Sequence, residues 1–158
     1  KFGNQCVVVA IDAKQIDGEW IVHLAGGSIP TALNLFDWAK EVELRGAGEI
    51  IVTSIDSDGT GLGFDLKIAE KLSNNIKIPF VINGGISSIK QIDQLLNVSN
   101  PSGIAIGSAF HYGNIDRDFI KQNSLDGNIE FLSKKQKYRN FGKLKIQAIK
   151  KHLNKKFK

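Results

Sequence analysis

Methionine is absent from the 158 residues, cysteine occurs once and proline three times. One cysteine excludes an intramolecular disulfide framework and favours a reducing compartment, so a cytoplasmic location is expected. Three scattered histidines beside that cysteine offer no metal-ligating constellation, and neither a metal nor another cofactor is called for. Long apolar runs are also missing. The longest, Cys6–Ile11, is far short of the roughly 20 residues of a membrane-spanning helix, so no membrane partner is expected. With Lys1 first and no methionine, the expectation is a piece of a longer gene product. What is present, 42% apolar residues and little proline, is the composition of a folded domain.

Acidic residues are lacking in one place only. Residues 1–130 hold ten Lys/Arg and all 16 Asp/Glu, a net of −6, whereas the last 28 hold eleven Lys/Arg and no acid. The pI near 9.3 therefore describes a tail on a mildly acidic body. Such a tail reads first as a solvated, partly helical extension. Its aromatics, Phe131, Tyr138, Phe141 and Phe157, are too sparse to suggest base stacking, so nucleic acid is not the expected partner.

The body alternates strand and helix. Cys6–Ile11 is a continuous β-branched run of the kind buried on both faces, ending in Asp12, with Cys6 packed as a small apolar residue. Asp17-Gly18 is a hairpin turn and Glu19–Leu24 its return arm. The spacing of Ala32, Leu35, Ala39 and Val42 predicts a helix over Ala32–Arg45, stopped by Gly46 and Gly48. Three further strands are expected at Glu49–Ser54, Pro79–Ile82 and Gly103–Ile106, with helices starting near Asp65 and from Ser88 through Leu96. The buried stripe of the latter is read as Ile89, Ile92 and Leu96. Repeated βα units mean a parallel sheet, either doubly wound or part of a (β/α)₈ barrel.

The loops favour the barrel. Chemistry in βα folds sits beyond the C-terminal strand ends, which here read Asp12, Asp56 to Thr60, Gly84-Gly85 and Gly107-Ser108. Small residues after two consecutive strands expose backbone N–H groups, as a phosphate site requires. In a barrel that site follows strands seven and eight, and a complete barrel takes roughly 250 residues. The chain therefore reads as strands 5–8, a half-barrel. Gly59-x-Gly61-x-Gly63 lacks the dinucleotide-binding spacing and reads as a substrate loop.

Phe2–Lys14, Trp38–Val42, Gly46–Thr60 and Phe110-His111 together resemble the cyclase subunit of imidazole glycerol phosphate synthase, with Phe2–Lys14 similar to its fifth strand. The resemblance runs in order from Lys1 to about Gly113 and weakens after Ile115. Asn83–Ser88 alone would also suit the related phosphoribosyl isomerase, but Gln5–Lys14 favours the cyclase. This implies the TIM-barrel fold, with residues 1–115 as the C-terminal half of the barrel. Residues 116–158 would be the last helix region and the basic extension. It also implies a glutamine amidotransferase partner (HisH-like) whose ammonia crosses the barrel to a substrate with a phosphate at each end. That substrate, a formimino-aminoimidazole carboxamide ribonucleotide, would give imidazole glycerol phosphate and an aminoimidazole carboxamide ribonucleotide, a step of histidine biosynthesis.

Residue roles follow from the same resemblance. Asp12 matches one of two catalytic aspartates. Asp58, Gly59, Gly84, Gly85, Gly107 and Ser108 match the ring that binds one phosphate, with Asp58 orienting the loop or a substrate hydroxyl. Thr53 is a substrate contact by strand register, and Glu49 matches the charged ring where ammonia enters. Ser57 stands where the family has arginine, and Ser28-Ile29 where basic residues are usual. Both changes remove positive charge near an anionic substrate and raise two alternatives. One is an ammonia-channelling paralogue serving a surface-sugar amidotransferase, and the other a non-catalytic half-barrel binding module. Alone, a half-barrel is expected to self-associate through its open sheet edges and to be inactive.

Overall fold

The computed structural model describes residues 3–113, 141 and 143–156. Strands β1 (Val8–Ile16), β2 (Glu19–Leu24) and β3 (Ile29–Asn34) precede helix α1 (Leu35–Leu44). Then follow β4 (Glu49–Ser54), α2 (Leu66–Asn75), β5 (Phe80–Asn83), α3 (Ile89–Val98), β6 (Gly103–Ala105), α4 (Ser108–Gly113) and α5 (Ile146–Lys156). The strands form one sheet in the order β3-β2-β1-β4-β5-β6. The β1–β4, β4–β5 and β5–β6 pairs are parallel, and β1–β2–β3 is an antiparallel edge.

Three local expectations are corrected. Strand β1 does not end at Asp12: it pairs with β4 through Ala13 and then continues to Ile16 against β2. The Asp17-Gly18 turn makes this possible, because both residues have positive φ (50° and 86°), the twist a two-residue hairpin needs. Cys6 lies in a 3₁₀ turn (Asn4–Cys6) and is exposed rather than packed in the strand. The predicted helix from Ala32 begins only at Leu35, since Ile29–Asn34 is a strand held to β2. Thr31 Oγ1 donates to Val22 O at 2.7 Å, and Asn34 Oδ1 then caps α1 by accepting from Phe36 N–H at 2.9 Å.

The core lies on one side of the sheet. Ile11, Val52 and Ile82 share one register row and are almost fully buried. Leu35, Ala39 and Val42 of α1, Ile68 and Leu72 of α2, and Ile92 and Leu95 of α3 pack onto that side. Leu95 thus takes the buried place expected of Leu96, which is only partly buried. Helix α1 touches α2, and α2 touches α3, so consecutive helices share a face. A doubly wound sheet puts helices on both faces, whereas a barrel keeps them outside; this is the arrangement of part of a (β/α)₈ barrel. Alternation leaves Val8 (48% exposed), Ala10, Ile51 and Val81 on the other face, open or half-buried. The run Cys6–Ile11, expected to be buried on both faces, is therefore covered on one face only, at Val9 and Ile11, because the described elements cover only that side. Among the described residues, no helix is long and apolar enough to cross a membrane.

Helix α2 shows how a cap serves tertiary structure as well. Asp65 Oδ1 accepts from Lys67 N–H (2.9 Å) and Ile68 N–H (3.4 Å), and its Oδ2 accepts from Trp20 Nε1–H on β2 at 3.0 Å. Asp65→Ala removes the cap and strands the part-buried indole N–H. It is expected to lower unfolding free energy by about 1–2 kcal/mol. Urea denaturation checks this, and Asp65→Asn, which keeps an acceptor, should lose less.

Candidate functional site

The parallel register brings Asp12, Thr53, Asn83 and Ala105 into one row across β1, β4, β5 and β6. All point to the face that no described helix covers, since their neighbours Ile11, Val52, Ile82 and Ile104 point to the core. Asn83 Nδ2 donates to Thr53 Oγ1 at 3.3 Å, tying two members of the row together. Below them lies the apolar row Ala10, Ile51, Val81 and Gly103, and below that Val8 beside Glu49. Glu49 thus stands at the opposite end of β4 from Thr53, where its Oε1 accepts from Ser102 Oγ at 3.3 Å. Polar groups cluster at one end of the open face, with an aliphatic floor beneath.

Asp12 is half-buried and flanked by two strands. On the β2 side its register partner is His23, buried at 7% exposure with Nδ1 2.9 Å from Ile21 O. Lys14 follows on the same face of β1, two residues on, and is exposed. An acid, an imidazole and an ammonium thus line one edge of the polar row. Sequence reading singled out only the aspartate. The register between β1 and β2, set by the hairpin, is what adds the histidine.

The strand-end loops converge beside this row. Asp58, Gly84, Gly85, Gly107 and Ser108 line one concave site together with Asn83. The loop after β4 is held to the loop after β5 by backbone and side-chain bonds. Gly63 N–H donates to Gly85 O at 2.8 Å; Ser87 Oγ and Gln91 Nε2 both donate to Gly61 O, at 2.8 and 3.1 Å. Gly85 is glycine for two reasons: its φ is +86°, and a Cβ there would collide with Gly63 O and stand 2.8 Å from Ser57 O. Gly107 differs, since a Cβ there would meet nothing within 4 Å. Packing therefore does not require glycine at this position.

The remaining predicted residues divide. Asp58 Oδ1 accepts from Gly59 N–H at 2.9 Å, so one carboxylate oxygen is engaged within its own loop. Gly59 does not line the concave site, and neither does Asp12, which reaches the open face from β1. Ser57 Oγ accepts from the buried Ser54 Oγ at 3.0 Å, a neutral contact where a cation was expected by resemblance. The lining residues that were not predicted include Asn83 and Phe141, beside the apolar Ile86, Ala105 and Ile106. Asn83 directly precedes the Gly-Gly pair and could have been found from strand register. Nothing local marks Phe141.

Comparison with known proteins gives a consistent result. The family model described as "Histidine biosynthesis protein" matches residues 1–116. The chain is 49% identical over 130 residues to the imidazole glycerol phosphate synthase subunit HisF of Flavobacterium johnsoniae, covering 82% of this chain and 52% of that protein. The subunit HisF of Flavobacterium psychrophilum is 49% identical over 114 residues, covering 72% of this chain and 45% of that protein. That of Bacillus cereus is 38% identical over 130 residues, with coverage of 82% and 52%. The chain spans about half the length of the curated relatives it matches.

Proposed function

This chain belongs to the histidine biosynthesis protein family, among its HisF members, and from that premise we propose that it supplies the C-terminal half of a cyclase barrel. The observation that carries the proposal is the polar row Asp12–Thr53–Asn83 standing beside glycine loops at the C-terminal strand ends. In this reading Asp12 is the acid/base group, Thr53 and Asn83 contact the substrate, and the loops hold one of its phosphates. Proton transfer at a nitrogen-rich substrate requires a carboxylate within hydrogen-bond reach, which Asp12 on the open face provides. The Gly107 and Gly85 backbone and the Ser108 hydroxyl supply donors, so a body of net negative charge binds phosphate by N–H groups rather than side-chain cations. Asp58 orients its loop.

The substrate is a bis-phosphorylated ribonucleotide carrying a formimino group, and the ammonia comes from a glutamine amidotransferase partner. Ammonia enters at the Glu49 end and crosses the Ala10–Ile51–Val81 layer to the polar row. That layer is apolar, which suits a neutral molecule and resists the passage of ions. The neutral serines at Ser57 and Ser28 keep open a second reading, in which the same channel feeds a surface-sugar amidotransferase system.

The half-exposed apolar face predicts the behaviour of the chain alone. Val8, Ala10, Ile51 and Val81 and the β6 edge need a cover, which the other half of the barrel would provide. Alone, the chain is expected to self-associate at micromolar concentration in light scattering and to turn over no substrate. Adding the N-terminal half of the Flavobacterium johnsoniae relative should convert it to a one-to-one complex with ammonia-dependent cyclase activity. A clean monomer that ignores the added half would refute the half-barrel reading.

A further inference from the structure

Phe141 lies outside residues 1–116, the part matched by the family model, yet its ring lines the space enclosed by Gly61, Gly84, Gly85, Gly107 and Ser108. Tyr112 of α4 stacks on it, with ring centroids 5.8 Å apart and planes 20° from parallel. Against its edge lies bare backbone: a Cβ built on Gly61 would stand 2.7 Å from Phe141 Cε1. The region that follows is docked rather than loose. Leu144 is buried, Ile149 and Leu153 of α5 pack on the core, and His152 Nε2 lies 2.9 Å from Asp93 Oδ1 on α3.

With the ring in place, the cavity among these residues measures about 10 Å³, room for about one water. A phosphate group, with five heavy atoms, needs more room than one water. The ring also presents no donor to an anion, while it covers loops whose exposed N–H groups are suited to one.

We propose that Phe141 competes with phosphate for the glycine-loop site, so that the ring must swing out for the phosphate to enter. The inference rests on the phosphate reading above and adds a residue that sets the affinity of the site. Apparent affinity then falls by the fraction of molecules in which the ring is out. Removing the ring removes that factor, and with it the Tyr112 stack, without touching a single donor of the site.

The test titrates inorganic phosphate into the full chain in its one-to-one complex with the N-terminal half of the relative, and follows the amide resonances of Gly84, Gly85 and Gly107 of this chain. Wild type, Phe141→Ala and Phe141→Leu are compared, with circular dichroism confirming the fold of each. Phe141→Ala should bind phosphate about fivefold tighter or more, with Phe141→Leu between it and wild type. In wild type, the Phe141 ring resonances should shift as the site saturates. Equal or weaker binding by Phe141→Ala overturns the competition while leaving the phosphate site intact. If no variant shifts those glycine amides, the phosphate reading itself fails and the competition falls with it.

Discussion

Asp12→Asn, in a barrel completed by the N-terminal half of a relative, is expected to lower cyclase turnover by about a hundredfold or more. The estimate follows from general acid–base catalysis, in which one positioned group contributes about 10²–10⁴-fold. The amide keeps the shape of the side chain but can neither take up nor release the proton. Substrate binding should survive, because the proposed phosphate donors are on other strands and their loops. The Asp12 side chain projects from a strand fixed on both sides: Asp12 pairs with Thr53 in parallel and His23 in antiparallel register. The substitution should therefore leave the sheet unchanged. Steady-state kinetics with a direct binding measurement separate the outcomes: a large loss of kcat at nearly constant Kd supports the assignment, and unchanged kcat refutes it.

Gly85→Ala should produce the largest loss of stability at the site. A left-handed backbone costs a non-glycine residue about 1–2 kcal/mol, and Gly85 has φ +86°. The added methyl also collides with Gly63 O and presses on Ser57 O. Relieving that contact breaks the 2.8 Å bond from Gly63 N–H to Gly85 O, worth about another 1 kcal/mol. Together these give a loss of about 3 kcal/mol, a large share of a typical domain's stability. Gly107→Ala is the control: nothing lies within 4 Å of its added methyl, so its effect should stay within about 0.5 kcal/mol. Paired chemical denaturation curves decide the matter. Equal destabilisation by both would mean that the loop after β4 does not press on Gly85 as described.

The contrast between these two glycines bears on how such motifs are read. Gly84-Gly85 and Gly107-Ser108 look alike in sequence, as small residues after consecutive strands. Gly85 is required by its own loops, which pack backbone against backbone. Gly107 is under no such demand, so the proposed ligand contact is the stronger reason for a small residue there. A glycine whose Cβ would clash is explained by packing alone; one facing open space is not.

Much of this molecule is written locally. Strand and helix alternation, the Asp17-Gly18 turn, and the starts of α2 and α3 at Asp65 and Ser88 follow from periodicity and capping, which act over a few residues. The C-terminal ends of β4, β5 and β6 could likewise be placed, to within a residue, from the aspartates and glycines after them, but that of β1 could not, since it runs past Asp12 to Ile16. Tertiary structure decided the rest. The segment Ile29–Asn34 became a strand because β2 offered it an edge, overriding the helical spacing of Ala32 with Leu35. Cys6 and Val8 are exposed because burial depends on what covers a face, which a β-branched run cannot state about itself. Thr53 meets Asn83, and Asp12 stands beside His23, only through register between strands distant in sequence. Phe141 reaches the glycine loops from beyond the family-matched region. No pattern of spacing encodes that approach, because it depends on where α5 and Leu144 dock on the finished core.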